Sequence, residues 1–403
     1  MTPPFPSAAA LARPSGEALG RPELVAARPL QPALGGAVSA RALPDLFGAV
    51  HPALRLSVVV PARDEAERLP ALLAALAAQR DADGRPFARG TVEALVLVNN
   101  STDGSAEVAR AAAPWARVAE VALDAPNAHV GRARQILMDA ACVRLLSAGR
   151  PDGLICSTDA DTRPAPDWLA ATAAEARGVD AVGGRALLLP DERAALAPGV
   201  RRLALLELAY RRAVEDLRAL YAHEPWDPAP RHHHHFGASL AVRADAYAAV
   251  GGLPARERYE DIALVHALWA AGRRVRHSGR VRVWTSARTD GRAQGGLAHD
   301  VARWTAHAEV GTEPAVEPAG RAEHRLARLA LWVHRAPETP PPVELLDTPP
   351  AGADGQPVTL AVADLRRRIA HLRGLSPPGR LAHAQRLAGG TAPRGPRSRP
   401  ARP

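Results

Sequence analysis

A chain of 403 residues with 51 basic and 42 acidic side chains, net charge +9, has length for one large or two small domains and a real core. Every basic residue is arginine, and the lack of lysine excludes Schiff-base chemistry and a Walker-type phosphate loop. The two cysteines, Cys142 and Cys156, are too few for a disulfide framework and lack zinc spacing, which fits a reducing, cytoplasmic setting.

The hydrophobic fraction is 47% with only 4% aromatic residues, so an aliphatic, helix-rich core is expected. Met1 to Pro14 lacks the basic-then-apolar pattern of a signal peptide, and charge interrupts runs such as Leu203 to Leu208 short of a membrane span. From Ser376 to Pro403 six arginines stand without an acid, which places +6 of the charge in one proline- and glycine-rich tail. The rest is near neutral. No nucleic-acid partner is expected, and the tail offers at most peripheral attraction to an anionic membrane surface.

Residues 1–53 are rich in alanine and proline without a period and read as a flexible leader. The pattern then alternates. Leu56 to Val60 is a β-branched strand ended by Pro61, and Leu69 to Ala78 carries leucines at helical spacing. Val92 to Val98 (strand), Ser105 to Ala113 and Ala128 to Leu146 (helices), and Gly153 to Cys156 (strand) follow. A helix Trp168 to Ala176, a strand Ala181 to Leu189 and a long arginine-rich helix Ala195 to Leu220 come next. Phe236 to Val242, Ala244 to Val250, the helix Asp261 to Ala271 and a strand near Arg280 to Thr285 complete a unit spanning 54–310. Helices over Leu297 to His307, Arg321 to His334 and Val362 to Leu372, with a proline-rich linker Pro337 to Pro350, give a helical C-terminal extension (311–375) before a disordered basic tail (376–403). Alternation of strand and helix predicts an α/β fold with a Rossmann-like, mostly parallel central sheet flanked by helices.

In such a sheet ligands bind beyond the carboxyl ends of the strands. Polar segments stand there: Pro61-Ala62-Arg63-Asp64-Glu65, Asn99-Asn100-Ser101-Thr102-Asp103-Gly104, and Thr158-Asp159-Ala160-Asp161. One turn of this kind only caps a helix, whereas three on one sheet edge describe a pocket. Asp159 and Asp161, separated by one small residue, can both approach one divalent cation, and hard oxygen ligands suit magnesium or manganese. The plain alternative is an acidic turn before Pro164.

These segments, with Gly131-Arg132-Ala133-Arg134, Asp167-Trp168-Leu169, Gly237-Ala238-Ser239, Gly251-Gly252 and Glu260-Asp261, stand in the order seen in family 2 glycosyltransferases, which residues 54–290 resemble. The resemblance implies the A-type glycosyltransferase fold, a nucleotide-sugar donor, a divalent metal (manganese or magnesium) and transfer, of a hexose by preference, with inversion to an acceptor hydroxyl. That acceptor is a small metabolite, a lipid or a glycan.

On this resemblance Pro61, Arg63 and Glu65 form the first nucleotide-contacting loop, and Asp159 and Asp161 hold the metal, with Asp159 also near the nucleotide. Asn99 stands where the family has a base-binding aspartate, a departure because an amide donates as well as accepts. Arg134 matches the family's Ala-Arg-Asn arginine and would contact nucleotide or phosphate; its plain alternative is a solvated helix face. Glu260 and Asp261 match the acidic pair that supplies the catalytic base: Asp261 as base, Glu260 as support. The alternative is a pair of helix-start acids favoured by the macrodipole. Gly237, Ala238 and Ser239 let backbone approach the acceptor, and Arg288 and Arg292 would clamp the leaving diphosphate.

His232 to His235 cannot all face one ion and read as a loop beside the acceptor pocket; His277 and His299 are candidate third metal ligands. Asp300-Val301-Ala302-Arg303-Trp304 resembles the Gln-x-x-Arg-Trp signature of processive synthases, but with Asp for Gln, and a non-processive enzyme is expected. Two rival readings are a nucleotidyltransferase on a similar sheet and a catalytically silent nucleotide-sugar or glycan-binding module.

Overall fold

The computed structural model describes residues 46–388 apart from 290, 292–295, 350, 352 and 353. The first half alternates strand and helix: β1 (Leu56–Ala62), α1 (Leu69–Ala77), β2 (Val92–Asn99), α2 (Ser105–Ala112), β3 (Arg117–Val121), which the sequence pattern did not show, α3 (Val130–Ser147) and β4 (Leu154–Ser157). Then come β5 (Thr162–Pro164), α4 (Trp168–Glu175), β6 (Ala181–Leu188), α5 (Pro190–Ala195) and the 24-residue α6 (Pro198–Tyr221). A 3-10 turn (Gly237–Ser239) leads to β7 (Leu240–Arg243), α7 (Ala244–Ala249), α8 (Glu260–Ala270) and β8 (Val275–Thr285).

Eight strands form one sheet in the order β3-β2-β1-β4-β7-β6-β8-β5. β1, β2, β3 and β4 run parallel, as do β6 and β8, while β7 and β5 pair antiparallel. This is the expected α/β architecture. All seven residues of β1 are buried, because helices cover both faces of a parallel sheet. Alternate residues enter opposite layers: Val59, Leu95, Leu97 and Ile155 pack beneath α3, whereas Val58, Val60, Val96 and Cys156 pack with α1, α2 and α4.

The C-terminal part is helical: α9 (Leu297–Glu309), α10 (Ala319–Arg335), α11 (Val343–Leu346), α12 (Val358–Arg373) and α13 (Pro377–Leu387), with a short ribbon of β9 (Ala315–Val316) and β10 (Gln356–Pro357). α10 and α12 pack on α6, and Leu326, Leu329, Leu365 and Ile369 join the same core as α3 and α7. The extension is thus built into the main core.

Two expectations at the ends need correction. The leader was expected to run to 53, but Phe47 is buried and the carbonyls of Phe47 and Gly48 accept from Arg117 and Arg144 at 2.6 and 2.7 Å. Arg144, fully buried, needs those acceptors in addition to its bidentate pair with Glu93 (2.9 and 2.6 Å). The tail was expected to be disordered from 376, yet Ser376 caps α13 through the N–H of Gly379, and Ala384 is buried against α10. Residues 1–45 and 389–403, which hold most of both segments, lie outside the described residues.

Candidate active site

The polar turns at the strand ends are tied together by their own side chains. Asp64 lies in the left-handed region (φ 50°), which aims the backbone of the first loop at the second. Its N–H donates to Ser101 Oγ (2.9 Å), Glu65 N–H to Ser105 Oγ (2.8 Å) and Ala66 N–H to Asp103 Oδ2 (2.9 Å), while Thr102 N–H donates to Asp64 Oδ1 (2.8 Å). Pro61 is buried at the end of β1, and Arg63 is exposed, donating to Ala128 O at 3.2 Å. Asn99 is buried, its amide nitrogen 3.4 Å from Asn100 Oδ1.

Arg134 is the node of the site. It lies one turn into α3 and is buried, so the solvated-face alternative fails. Its guanidinium donates to Glu260 Oε1 (3.0 Å), Ser157 Oγ (2.7 Å), Gly237 O (3.2 Å) and Asp159 Oδ1 (2.8 Å). Burial alone would lower its proton affinity, but the carboxylates of Asp159, Glu260 and Asp261 outweigh that and hold it above its ordinary value. Gly237 has to be glycine, since a Cβ there would fall 2.4 Å from Arg134 Cζ.

Asp261 completes the ring by accepting the Gly237 N–H at Oδ2 (2.6 Å) and the Ile262 N–H at Oδ1 (2.8 Å). It stands with Glu260 in the first turn of α8, following Tyr259 at φ 58°. Burial, then the neighbouring Asp261, push Glu260 up to about 7; burial also raises Asp261. Glu260 thus titrates near neutrality and Asp261 above its ordinary value, as suits groups that take part in proton transfer. The helix-start alternative and the base assignment are compatible, because Asp261 caps and still presents lone pairs.

Asp161 accepts from Thr285 Oγ1 (3.3 Å) and pairs with Arg288 (3.1 Å), which also forks onto Glu65 at 2.6 and 3.2 Å. Arg288 therefore joins the first loop to the acidic turn. Arg292 lies outside the described residues. Burial, then Asp159, push Asp161 up to about 6, with Glu65 adding to the surplus of negative charge. Two hard carboxylates one residue apart fit magnesium or manganese, which proteins commonly hold by one or two carboxylates completed by substrate phosphates. Among the described residues no group of three His, Cys, Asp or Glu could hold a metal by itself.

The remaining candidates fall elsewhere. Ala238 and Ser239 are buried, and Ser239 Oγ accepts from Trp168 Nε1 (3.0 Å), which anchors the turn next to Gly237. His232, His234 and His235 are buried in a cluster with His277, whose Nδ1 lies 2.8 Å from Asp227. Burial first lowers the imidazoles of His232, His233, His234 and His235; His234 and His235 fall to about 3 and are neutral. His299 is exposed in the first turn of α9. Arg303 and the indole N–H of Trp304 both donate to Glu207 at 2.8 Å. A cavity of about 470 Å³ beside Trp226, Arg274 and Arg276 lies at the starts of β6 and β8, away from the acids.

Sequence reasoning missed Ser157, which donates to Gly237 O (2.8 Å), and Glu192, which accepts from Ser286 Oγ (2.8 Å), the Ala287 N–H (2.6 Å) and Arg68 (3.2 Å). The partners of Glu192 are 94 to 124 positions away, and no local pattern marks it.

The strand-end turns, the Asp159–Asp161 pair and the acidic helix start meet in one site, and residues 57–196 match the family described as Glycosyl transferase family 2. This match covers about a third of the chain and supports a transferase. No curated protein matches the chain. Among solved structures it is similar to the mannosyltransferase PcManGT of Pyrobaculum calidifontis in complex with GDP-Man and Mn2+, at 20% identity and TM-score 0.42, covering 86% of this chain and 79% of that one. It is also similar to S. aureus TarS 1-349 in complex with UDP-GlcNAc (14%, TM-score 0.40, 84% and 71%). Glucosyl-3-phosphoglycerate synthase from Mycobacterium tuberculosis, in complex with Mn2+, UDP and phosphoglyceric acid, is a third (16%, TM-score 0.39, 70% and 86%). At such identities and TM-scores these likenesses carry no argument about what this chain binds.

Proposed function

We propose that the protein is a metal-dependent, inverting, non-processive glycosyltransferase that moves a hexosyl group from a nucleotide-sugar donor to an acceptor hydroxyl. The observation that carries this reading is the ring in which Arg134 binds Asp159 and Glu260 while Gly237 binds Arg134 and Asp261. It joins a donor-side acid to an acceptor-side base through one buried guanidinium.

In this reading the loops at Glu65 and Asn99 seat the nucleotide beyond the strand ends, as open α/β sheets do. Asp159 and Asp161 would hold the divalent cation, which would supply neutralising charge to the departing diphosphate. Arg288 adds a fixed positive charge on the same side. Asp261, held by two backbone N–H groups, takes the proton of the acceptor hydroxyl as its oxygen attacks the anomeric carbon. One carboxylate suffices for a single displacement, and a double displacement would need a nucleophile as well. Glu260, spent on Arg134, keeps that guanidinium over Asp159. The engagement of Arg303 and Trp304 by Glu207 supports a non-processive enzyme, since neither is presented to a growing polymer.

The test is a panel of nucleotide sugars incubated with manganese, scored for released nucleoside diphosphate and, by NMR, for the anomeric configuration of the transferred or hydrolysed sugar. Inverted product supports the reading; retained configuration, or pyrophosphate release from nucleoside triphosphates instead, overturns it.

A further inference from the structure

From Val358 to the end of the chain ten arginines stand against one acid, Asp364, so the net +9 of the whole sequence resides in α12, α13 and the residues after them. Everything before Val358 sums to zero. α12 buries Val358, Ala361, Val362, Leu365, Ile369 and Leu372 in the core that it shares with α6 and α10. Its opposite side meets solvent. Leu360, Ala363, Arg366, Arg367, Ala370 and Arg373 are all exposed, Leu360 by 57%, and their spacing puts them on one helical face.

The acids of this region do not cancel that charge. Asp364 is held by Arg367 (3.4 Å) and Arg368 (3.3 Å), and Glu323, buried on α10, by Arg368 and Tyr221. Glu313 is engaged by Arg202 (2.9 Å) and Thr359 (2.7 Å), which leaves it neutralised in its own pair. Setting Asp364 and Glu323 against the six arginines of α12 and α13 leaves a surplus of four positive charges. Arg366 and Arg373, seven residues apart on the outer face, make no ion pair or hydrogen bond among the described residues, and neither does the exposed Arg386 in the last turn of α13.

An exposed leucine set among arginines fits a surface that offers both phosphate and hydrocarbon, as the boundary between headgroups and acyl chains does. Nucleic acid supplies the phosphate but nothing for the leucine, and no residue after Val358 is a Phe, Tyr or Trp on which a base could stack. We propose that the outer face of α12 docks the protein on an anionic membrane surface, with Arg366, Arg367 and Arg373 on lipid phosphates and Leu360 at the acyl boundary. Because the preceding part of the chain carries no net charge, the attraction also orients the molecule, turning this face and no other to the bilayer. No helix among the described residues is long and apolar enough to cross a membrane, so the contact is peripheral. The proposal goes beyond the transfer reading and stands or falls without it.

The experiment is co-sedimentation of the full-length protein with vesicles of phosphatidylcholine, alone or mixed with phosphatidylglycerol, alongside binding to a DNA duplex and an RNA single strand. The expected result is binding to the mixed vesicles only, weakened by salt and by about fivefold for each arginine removed, hence about 100-fold in the triple variant R366Q/R367Q/R373Q. L360Q should weaken vesicle binding about fivefold without changing the charge. The triple variant R85Q/R110Q/R212Q, which removes the same charge from exposed positions elsewhere, should bind as wild type. Equal binding to neutral vesicles, no vesicle binding, equal losses in the two triple variants, or nucleic-acid binding as tight as that of the vesicles would overturn the proposal. So would full binding by R366Q/R367Q/R373Q, which would assign the attraction to the arginines after Leu387. Vesicle binding with the expected pattern in a protein that transfers no sugar would leave the docking face standing and remove only the transferase reading.

Discussion

Arg134 and Glu260, 126 residues apart in the chain, meet at 3.0 Å with 5% and 6% of their side chains exposed. The same guanidinium reaches Asp159 at 2.8 Å, so the strand end and the start of α8 are positioned by one side chain. Removing it should uncouple the two halves. Arg134→Ala leaves buried carboxylates uncompensated and is expected to cost about 3–5 kcal/mol of stability. Arg134→Lys, keeping the charge but losing the fork that serves four acceptors, should lower kcat/KM about 100-fold with a smaller stability loss. Urea denaturation and steady-state kinetics on the two variants check both.

The acidic pair sets the pH dependence. Glu260 is raised to about 7 and Asp261 is raised as well, both by burial first, so kcat/KM should climb on a limb well above the ordinary carboxylate range. Glu260→Gln removes a neighbouring negative charge and should move that limb to lower pH. Stability runs the other way. A carboxyl whose folded pKa lies above its unfolded value of about 4.3 favours the native state most at low pH. That contribution is lost as pH rises through about 7. The wild type should therefore lose melting temperature over this window more steeply than Glu260→Gln.

Metal dependence should show as ligand-linked stability. Manganese at about 100 times its dissociation constant should stabilise the wild type by about 2.7 kcal/mol. Asp161→Asn and Asp159→Asn should lose that response. Thermal unfolding with and without manganese measures it, and an undiminished response in both variants would place the cation elsewhere.

Gly131 is a seat for the catalytic loop. A Cβ there would fall 1.9 Å from Arg256 O and 3.3 Å from Glu260 Cβ, so the segment before α8 rests directly on the first turn of α3. Gly131→Ala, in a helix where alanine is otherwise preferred, should displace Glu260 and Asp261 and lower kcat by about 10- to 100-fold while changing stability by no more than about 1–3 kcal/mol. A Gly131→Ala protein whose kcat equals that of the wild type would contradict this.

The fold was legible wherever the pattern was local. β1, β2, α3 and α8 appear within a residue or two of expectation because apolar runs, helical leucine spacing and strand-end prolines act over a few positions. The edge strands Arg117–Val121 and Thr162–Pro164 escaped, since neither carries an apolar run and each exists through its partner. At the site, Asp159, Asp161 and Glu260-Asp261 announced themselves as acids after strands or before a helix. The part of Arg134 as a hub did not, because its four acceptors come from chain positions 23 to 126 residues away. Gly237 read only as a small residue, while its requirement comes from a guanidinium folded against it.

The most direct trial is nucleoside diphosphate release, with manganese, from the nucleotide sugar that the wild type turns over fastest, compared between wild type and Asp261→Asn. The mutant should keep the fold and bind donor, yet turn over about 100- to 10,000-fold more slowly, the worth of a positioned general base. An Asp261→Asn protein as fast as the wild type would contradict the assignment of the base.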